Sequence, residues 1–154
     1  MTMSTPHVPM DILLIEDRED EISMVEDAIA ETELNNRMVV AKSLGEAIAY
    51  LKQTTVEVAS RLSELHKPGL ILLDINLHEA QGYDILHEIK TDPSLMTIPV
   101  VILTDTLEEK DLAFTISHGV TGYFLKPMDI GQLRKVVKDV EDHWTVLTTA
   151  PCAN

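Results

Sequence analysis

Four apolar residues, Leu70 to Leu73, lead directly into the carboxylate of Asp74, and no basic residue lies beside it. The run follows Pro68-Gly69, and a short apolar run after such a turn signal predicts a buried strand of a parallel sheet. In open α/β sheets, ligands bind beyond the carboxyl ends of the strands, which is where Asp74 would lie. This stretch therefore predicts a fold class and the position of a site.

Three other apolar runs end in polar residues in the same way. They run from Asp11 to Ile15 before Glu16-Asp17, from Val100 to Leu103 before Thr104, and from Gly122 to Leu125 before Lys126. Because the carboxyl ends of parallel strands lie at one edge of the sheet, we expect three acids, a hydroxyl and an ammonium group to share a shallow crevice.

Segments with helical periodicity separate these strands and a further short strand, Met38 to Ala41. The predicted helices cover residues 20–32, 44–51 with an extension at 54–66, 82–92, 108–118 and 130–144. Ser43 and Glu46 form a capping box, Gly119 closes the fourth helix, and Asp129 can cap the last one. Five strands alternating with five helices predict a doubly wound parallel sheet with helices on both faces.

Length and composition fit one globular α/β domain. The chain has 154 residues, of which 45% are apolar and 25% charged, and domains typically contain about 100–200 residues. We assign residues 1–9 to an N-terminal extension, 10–144 to the domain and 145–154 to a C-terminal tail. The region of the second helix is lengthened at about 52–67.

Charge and cysteine content exclude several classes of function. The 12 basic and 26 acidic residues give a formal net charge of −14, which argues against nucleic acid or an anionic membrane as a partner. The single cysteine, Cys152, cannot form a disulfide framework. No apolar run reaches the ~18 residues of a membrane span, and residues 1–10 do not form a secretory leader, so we expect a cytoplasmic protein.

The acids at the strand ends predict a metal site. Like charges from two strands, Glu16-Asp17 and Asp74, are unfavourable together unless a cation neutralises them, and hard oxygen ligands favour Mg²⁺. Each acid alone could instead cap the following helix, but capping does not explain why Thr104 and Lys126 end two further strands. An aspartate beside a metal, a hydroxyl and a lysine is suited to accept a phosphoryl group.

With these residues the chain resembles the receiver domains of two-component response regulators. The matching features are the acidic pair Glu16-Asp17, the phosphoacceptor strand Leu70 to Asp74, the glycine Gly82, the hydroxyl of Thr104 and the pair Lys126-Pro127. The resemblance extends from about Met10 to Trp144. It implies a flavodoxin-like (βα)5 sheet with strand order 2-1-3-4-5.

The resemblance also implies roles for the acids. Asp74 would be the phosphorylation site and a ligand of Mg²⁺. Asp17 would bind the metal directly, Glu16 would act through water, and Asn76 would offer its backbone carbonyl.

The remaining motif residues would act on the phosphoryl group or respond to it. Thr104 would hydrogen-bond a phosphoryl oxygen, and Lys126 would pair with the group. Tyr123 would swing inward when Thr104 moves, although a half-buried strand tyrosine is the alternative interpretation. The resemblance implies a cis peptide at Lys126-Pro127.

Two residues depart from the family pattern. Asp105 stands where a small residue is usual, so it either points to solvent, shortens the phosphoryl lifetime or hinders access. His78 stands where proline is common. We interpret it as a loop residue rather than a metal ligand, because no second histidine lies at ligand spacing.

The connection 51–67 and the closing Glu141 to Trp144 resemble a subgroup of stand-alone receivers that partner phytochrome-type histidine kinases in bacteria. The resemblance implies a response regulator that accepts its phosphoryl group from a sensor histidine kinase such as a bacteriophytochrome. Its signalling and homodimer surface would lie within residues 108–144, where we expect Phe114 to be exposed.

Two other functions are compatible with a strand-end aspartate. An aspartyl-phosphate hydrolase needs an acid two residues after the nucleophile to protonate the leaving group, and Asn76 stands there. A receiver-shaped scaffold that works without phosphorylation would have no need of the complete acidic set. We therefore expect a phosphoacceptor rather than an enzyme.

Overall fold

The chain folds into one parallel sheet with helices on both faces. The computed structural model describes residues 10–52, 68–77, 81–105, 119–126 and 129–149. The elements of this part of the chain are β1 Ile12–Ile15, α1 Glu19–Glu31, β2 Met38–Ala41, α2 Leu44–Leu51, β3 Leu70–Asp74, α3 Gln81–Thr91, β4 Val100–Thr104, β5 Gly122–Leu125 and α4 Ile130–Thr149. Within these ranges, no helix has an apolar stretch suited to crossing a membrane.

The five strands pair in parallel in the order β2-β1-β3-β4-β5. The order confirms the doubly wound, flavodoxin-like arrangement predicted from the sequence. β1 and β3 are buried along their whole length, because inner strands of a parallel sheet are covered on both faces. This is why their sequences are unbroken apolar runs.

Alternate strand residues supply two separate core layers. Leu13 and Ile15 point to the layer that contains α2 and α3. Ile12 and Leu14 point to the opposite layer, which contains α1 and α4. In the described part of the chain, the sheet therefore lies between one pair of helices on each face.

Local sequence signals set several helix ends. The Ser43 hydroxyl accepts a hydrogen bond from the Glu46 N–H at 3.1 Å, and the Asp129 carboxylate accepts one from the Gln132 N–H at 2.9 Å. Gly119 has φ +69°, a left-handed backbone conformation that glycine adopts without strain. The last helix continues to Thr149, so residues 145–149 of the predicted tail are helical.

Gly82 allows α3 to begin against the loop that follows β3. A Cβ atom at this position would lie 2.6 Å from the backbone oxygen of Ile75, far inside van der Waals contact. The glycine that the sequence singled out is therefore required by close backbone packing beside Asp74. The predictions for residues 54–66 and 108–118, and those for His78, Phe114 and Pro127, lie outside the described residues.

Candidate functional site

Backbone hydrogen bonds continue past the strand ends and fix the candidate residues side by side. They join the Glu16 N–H to the Ala41 oxygen at 3.0 Å, the Ile75 N–H to the Leu103 oxygen at 3.1 Å, and the Lys126 N–H to the Thr104 oxygen at 2.8 Å. The chain therefore leaves each strand with a defined direction, and the polar side chains converge on one edge of the sheet.

Three carboxylates meet at this edge, and we call Glu16, Asp17 and Asp74 the acidic cluster. One oxygen from each lies within 4.8 Å of the others. Glu16 and Asp74 are buried, whereas Asp17 is partly exposed. An all-oxygen donor set of this kind fits a hard divalent cation, so the residues present suit the metal that the sequence predicts.

Neighbouring backbone amides orient two of these carboxylates. The Asn76 N–H donates to Asp74 Oδ1 at 3.0 Å. The N–H groups of Asp17 and Arg18 both donate to Glu16 Oε1 at 3.2 Å. The acids are thus fixed by the turns that follow their strands, which keeps like charges close together in the folded chain.

Lys126 lies at the centre of the negative charge. Its Nζ atom is 3.1 Å from Asp74 Oδ1 and 3.3 Å from Glu16 Oε2. The structure thus brings together the two strand-end groups, Asp74 and Lys126, on which the sequence argument depends. Its shortest contact, 2.5 Å, is with Glu21 Oε2.

Sequence reasoning did not identify Glu21. Acids are common in the first turn of a helix because they interact favourably with its dipole, and Glu21 shares the first turn of α1 with Glu19 and Asp20. The only available signal was its position four residues after Asp17. That spacing indicates nothing about a lysine located 105 residues later.

The crowding perturbs the proton affinities of the site. Burial, with hydrogen bonding to Asp74 and to Glu21, raises the pKa of Glu16 from 4.5 to about 8. Burial opposes the charge of Lys126, yet its hydrogen bond to Glu21 and the charges of Asp74 and Glu16 raise the pKa of Lys126 above its ordinary value. Burial also opposes ionisation of Glu21, but hydrogen bonding to Lys126 and Glu16 and the positive charges of Lys126 and Arg18 together lower the pKa of Glu21. The site therefore holds more negative charge than its own cations balance.

The other predicted residues surround this cluster at different exposures. Thr104 is buried at the end of β4, next to the strand that carries Asp74. Tyr123 on β5 is 44% exposed, so its ring is not packed into the core. Asp105 is exposed, in keeping with the interpretation that it points to solvent. The side chain of Asn76 is also exposed.

A groove of about 560 Å³ opens beside the acidic cluster, between α1 and the start of α4. We call it the α1 groove. Met24 and Ile130 contribute apolar surface, and Glu21, Asp27 and Asp105 contribute acids. Any molecule that reaches the buried Asp74 from this side meets a partly apolar and strongly acidic surface.

Comparison with known proteins identifies the family. Residues 12–138 match the response regulator receiver domain, and the chain belongs to this family. Receiver domains are phosphoacceptors that take a phosphoryl group on an aspartate rather than turnover enzymes.

Several relatives match over nearly the whole chain. Response regulator Rcp1 of Synechocystis sp. is 31% identical over 145 residues, which cover 94% of this chain and 95% of Rcp1. The crystal structure of the phosphorylated cyanobacterial phytochrome response regulator RcpA is 33% identical, covers 96% of this chain and 100% of its own, and has a TM-score of 0.69. The Mn²⁺-bound form of Rcp1 is 30% identical, with coverage of 94% and 100% and a TM-score of 0.67.

These relatives confirm the resemblance to receivers of the phytochrome response regulator type. Receiver domains bind a divalent metal at their acidic pocket, and the donor set of the acidic cluster agrees with this property.

Proposed function

We propose that this chain is a stand-alone response regulator in which Asp74 accepts a phosphoryl group from a phytochrome-type sensor histidine kinase. The observation that carries the proposal is the position of Asp74, 3.1 Å from Lys126 Nζ and within the acidic cluster. Similarity to Rcp1 and RcpA supports the kinase type. A sensor kinase would supply the phosphoryl group as phosphohistidine.

In the proposed transfer, an oxygen of Asp74 forms a bond to phosphorus while the bond from phosphorus to the histidine nitrogen breaks. The imidazole leaves with the electron pair of that bond and takes a proton from water. Lys126 faces the transferred group with its positive charge, and the Thr104 hydroxyl donates a hydrogen bond to one of its oxygens.

The acidic cluster would hold the metal, and we propose Mg²⁺. Asp17 and Asp74 would bind it directly, Glu16 through water, and Asn76 through its backbone carbonyl. Bound Mg²⁺ would neutralise part of the charge that the carboxylates and the phosphoryl group bring together. The backbone amides described above keep the carboxylates of Asp74 and Glu16 oriented.

Intact mass after incubation with acetyl phosphate and Mg²⁺ tests the proposal. We expect one phosphoryl adduct on the parent protein and none on Asp74→Asn. Asp84→Asn is a matched control, because Asp84 is exposed on α3, and it should be phosphorylated like the parent. Absence of an adduct on the parent would favour a scaffold, and turnover of a phosphate ester would favour a hydrolase.

The α1 groove supports direct contact with the kinase segment that carries the phosphohistidine. It lies beside Lys126 and Glu16, and its acids favour a partner with basic residues. Met24 is 55% exposed on this groove. We expect Met24→Glu to slow transfer from a phosphorylated phytochrome-type kinase by about tenfold.

Acetyl phosphate distinguishes an effect on docking of the kinase from an effect on phosphoryl transfer to Asp74. Met24→Glu should accept phosphoryl from this small donor at the parental rate. Met96→Glu provides the matched control, because Met96 is 50% exposed in the connection after α3, and it should leave both donors unaffected. Equal effects of the two substitutions on the kinase reaction would remove the groove from the proposal.

The output proposed for the phosphorylated chain is a change of surface within residues 108–144. Thr104 and Tyr123 would change together, and a second copy of the chain would bind there. Two large side chains on β5, Tyr123 and Leu125, are 44% and 46% exposed, which supports a binding surface at this edge strand. Light scattering should detect a dimer that Leu125→Gln weakens and Met96→Gln does not; equal behaviour would exclude this surface.

A further inference from the structure

Lys126 shares its ammonium group among three carboxylates. An ammonium has three N–H donors, and the three acceptors are Glu21 at 2.5 Å, Asp74 at 3.1 Å and Glu16 at 3.3 Å. Three carboxylates therefore surround the three donors of Lys126 before any phosphoryl group binds, through hydrogen bonds to Glu16 and Glu21 and an ion pair with Asp74. A phosphoryl oxygen that approaches Lys126 would compete with these carboxylates for its donors.

Glu21 differs from the other two acceptors. Glu16 and Asp74 belong to the acidic cluster, where a bound cation would take over their charge, whereas Glu21 does not. Its second oxygen, Oε1, lies 3.5 Å from Arg18, whose side chain is 59% exposed. The Glu21 and Lys126 side chains are only 16% and 14% exposed, so their contact is weakly screened by solvent.

We infer that Glu21 is a positioning residue that competes with the phosphoryl group for Lys126 and thereby limits how tightly Asp74 holds it. The inference rests on the proposed phosphorylation of Asp74. Two effects act in the same direction: the Glu21 carboxylate keeps the ammonium toward α1, and its negative charge disfavours a further anion nearby. The strength of this one contact would thus set the lifetime of the phosphorylated state.

Beryllofluoride, a tetrahedral mimic of a phosphoryl group, is a suitable probe when Mg²⁺ is held at a fixed concentration. By ¹⁹F NMR, we expect Glu21→Gln to bind beryllofluoride about five- to tenfold more tightly than the parent. The phosphoryl group of Glu21→Gln after acetyl phosphate treatment should be lost more slowly by a similar factor. Unchanged or weaker binding of beryllofluoride by Glu21→Gln would overturn the inference.

Two further variants distinguish the contact between Glu21 and Lys126 from the general effect of negative charge on this turn. Glu21→Asp keeps the charge but is one methylene shorter, so it weakens only the contact with Lys126 and should bind beryllofluoride more tightly than the parent but less tightly than Glu21→Gln. Parental affinity in Glu21→Asp would instead assign the effect to charge alone and reject a positioning role. Asp20→Asn removes a charge from the same turn at a 72% exposed side chain, and should leave beryllofluoride affinity unchanged.

The contact can also be tested without any phosphoryl chemistry. NMR of the lysine side-chain amines should show a lower pKa for Lys126 in Glu21→Gln than in the parent, because the variant lacks the carboxylate that stabilises the ammonium. If the parent does not bind beryllofluoride, the proposed function fails, while the lysine titration still reports on the Glu21 contact. If the parent binds it and the titration is unchanged, the inference alone fails.

Discussion

Glu16 and Glu141 are both buried carboxylates, and they lie at opposite ends of β1. Glu141 on α4 is 4% exposed and accepts hydrogen bonds from the Met10 N–H at 3.0 Å and the Asn36 side-chain amide at 3.1 Å. Glu16 is fully buried and lies among other carboxylates, with Lys126 3.3 Å away. The same chemical group thus accepts hydrogen bonds from amides at both ends of the strand, but at Glu16 the neighbouring carboxylates oppose its charge.

The difference separates a structural carboxylate, Glu141, from Glu16, a carboxylate suited to bind a metal. Burying a charge is unfavourable unless hydrogen bonds compensate it, and at Glu141 the donors come from the start of the sheet, so the interaction joins α4 to β1. At Glu16 the compensation is incomplete, and a cation or a proton is needed to complete it. Under the proposed function, the unbalanced negative charge at the carboxyl edge prepares the site for a metal cation, which would in turn offset the charge of a phosphoryl group.

The largest effect on stability is expected from substitution of Glu141, the structural carboxylate. Glu141→Ala leaves the Met10 N–H and the Asn36 amide without this acceptor, and should lower the free energy of unfolding by about 2–4 kcal/mol. Urea denaturation measures the loss. Asp142→Ala is the control, because its side chain is exposed and its effect should be below about 0.5 kcal/mol. Equal losses in the two variants would contradict a structural role for Glu141.

The pH dependence of stability should reveal how unfavourable the charged form of Glu16 is in the folded protein. Its pKa is raised in the folded chain from 4.5 to about 8, so between these values the folded state binds more protons than the unfolded state. Stability of the metal-free protein should therefore fall as pH rises from about 4.5 to 8. Urea midpoints measured in EDTA across this range would show the slope, and Glu16→Gln should flatten it. A slope that persists in Glu16→Gln would assign the titration elsewhere.

The smallest effect, a change in Mg²⁺ affinity, is expected from substitution of Asp105. This acid is exposed and lies outside the acidic cluster, so solvent and salt screen its charge. Isothermal titration should show that Asp105→Asn changes Mg²⁺ affinity by no more than about twofold, whereas Asp17→Asn should abolish measurable binding. A large change in Asp105→Asn would place a fourth acid in the metal site.

The sequence predicted those parts of the molecule in which local pattern and packing agree. The apolar runs before Glu16, Asp74, Thr104 and Lys126 identified buried parallel strands, and the shared edge of such strands placed their ends together. The period of 3.6 residues likewise identified the buried face of α1, where Ile22 is 5% exposed. These features depend on residues close together in the chain.

The contacts of Glu21 and Glu141 could not be predicted from the sequence, because their partners are distant in the chain. Glu21 meets a lysine 105 residues later, and Glu141 meets the amide of a residue 131 positions earlier. Both are long acids on helix surfaces, and in the sequence they look like the many other glutamates of an acidic chain. Their roles depend on how α1 and α4 pack against the sheet, which periodicity alone does not determine.

The central claim is that the fold holds the carboxylates of the acidic cluster together against their repulsion so that a divalent cation and a phosphoryl group can bind. The most direct test compares the urea unfolding free energies of the parent and Asp74→Asn, one pH unit above the pKa of Glu16, with EDTA and with Mg²⁺. In EDTA we expect Asp74→Asn to be more stable by about 1 kcal/mol, because repulsion is relieved while Lys126 keeps Glu16 and Glu21 as partners.

With Mg²⁺ at 100 times its dissociation constant, the parent should gain about 2.7 kcal/mol, and Asp74→Asn should gain much less, so that the order of stability reverses. An Asp74→Asn protein that is less stable than the parent in EDTA and gains the same stability from Mg²⁺ would contradict the claim.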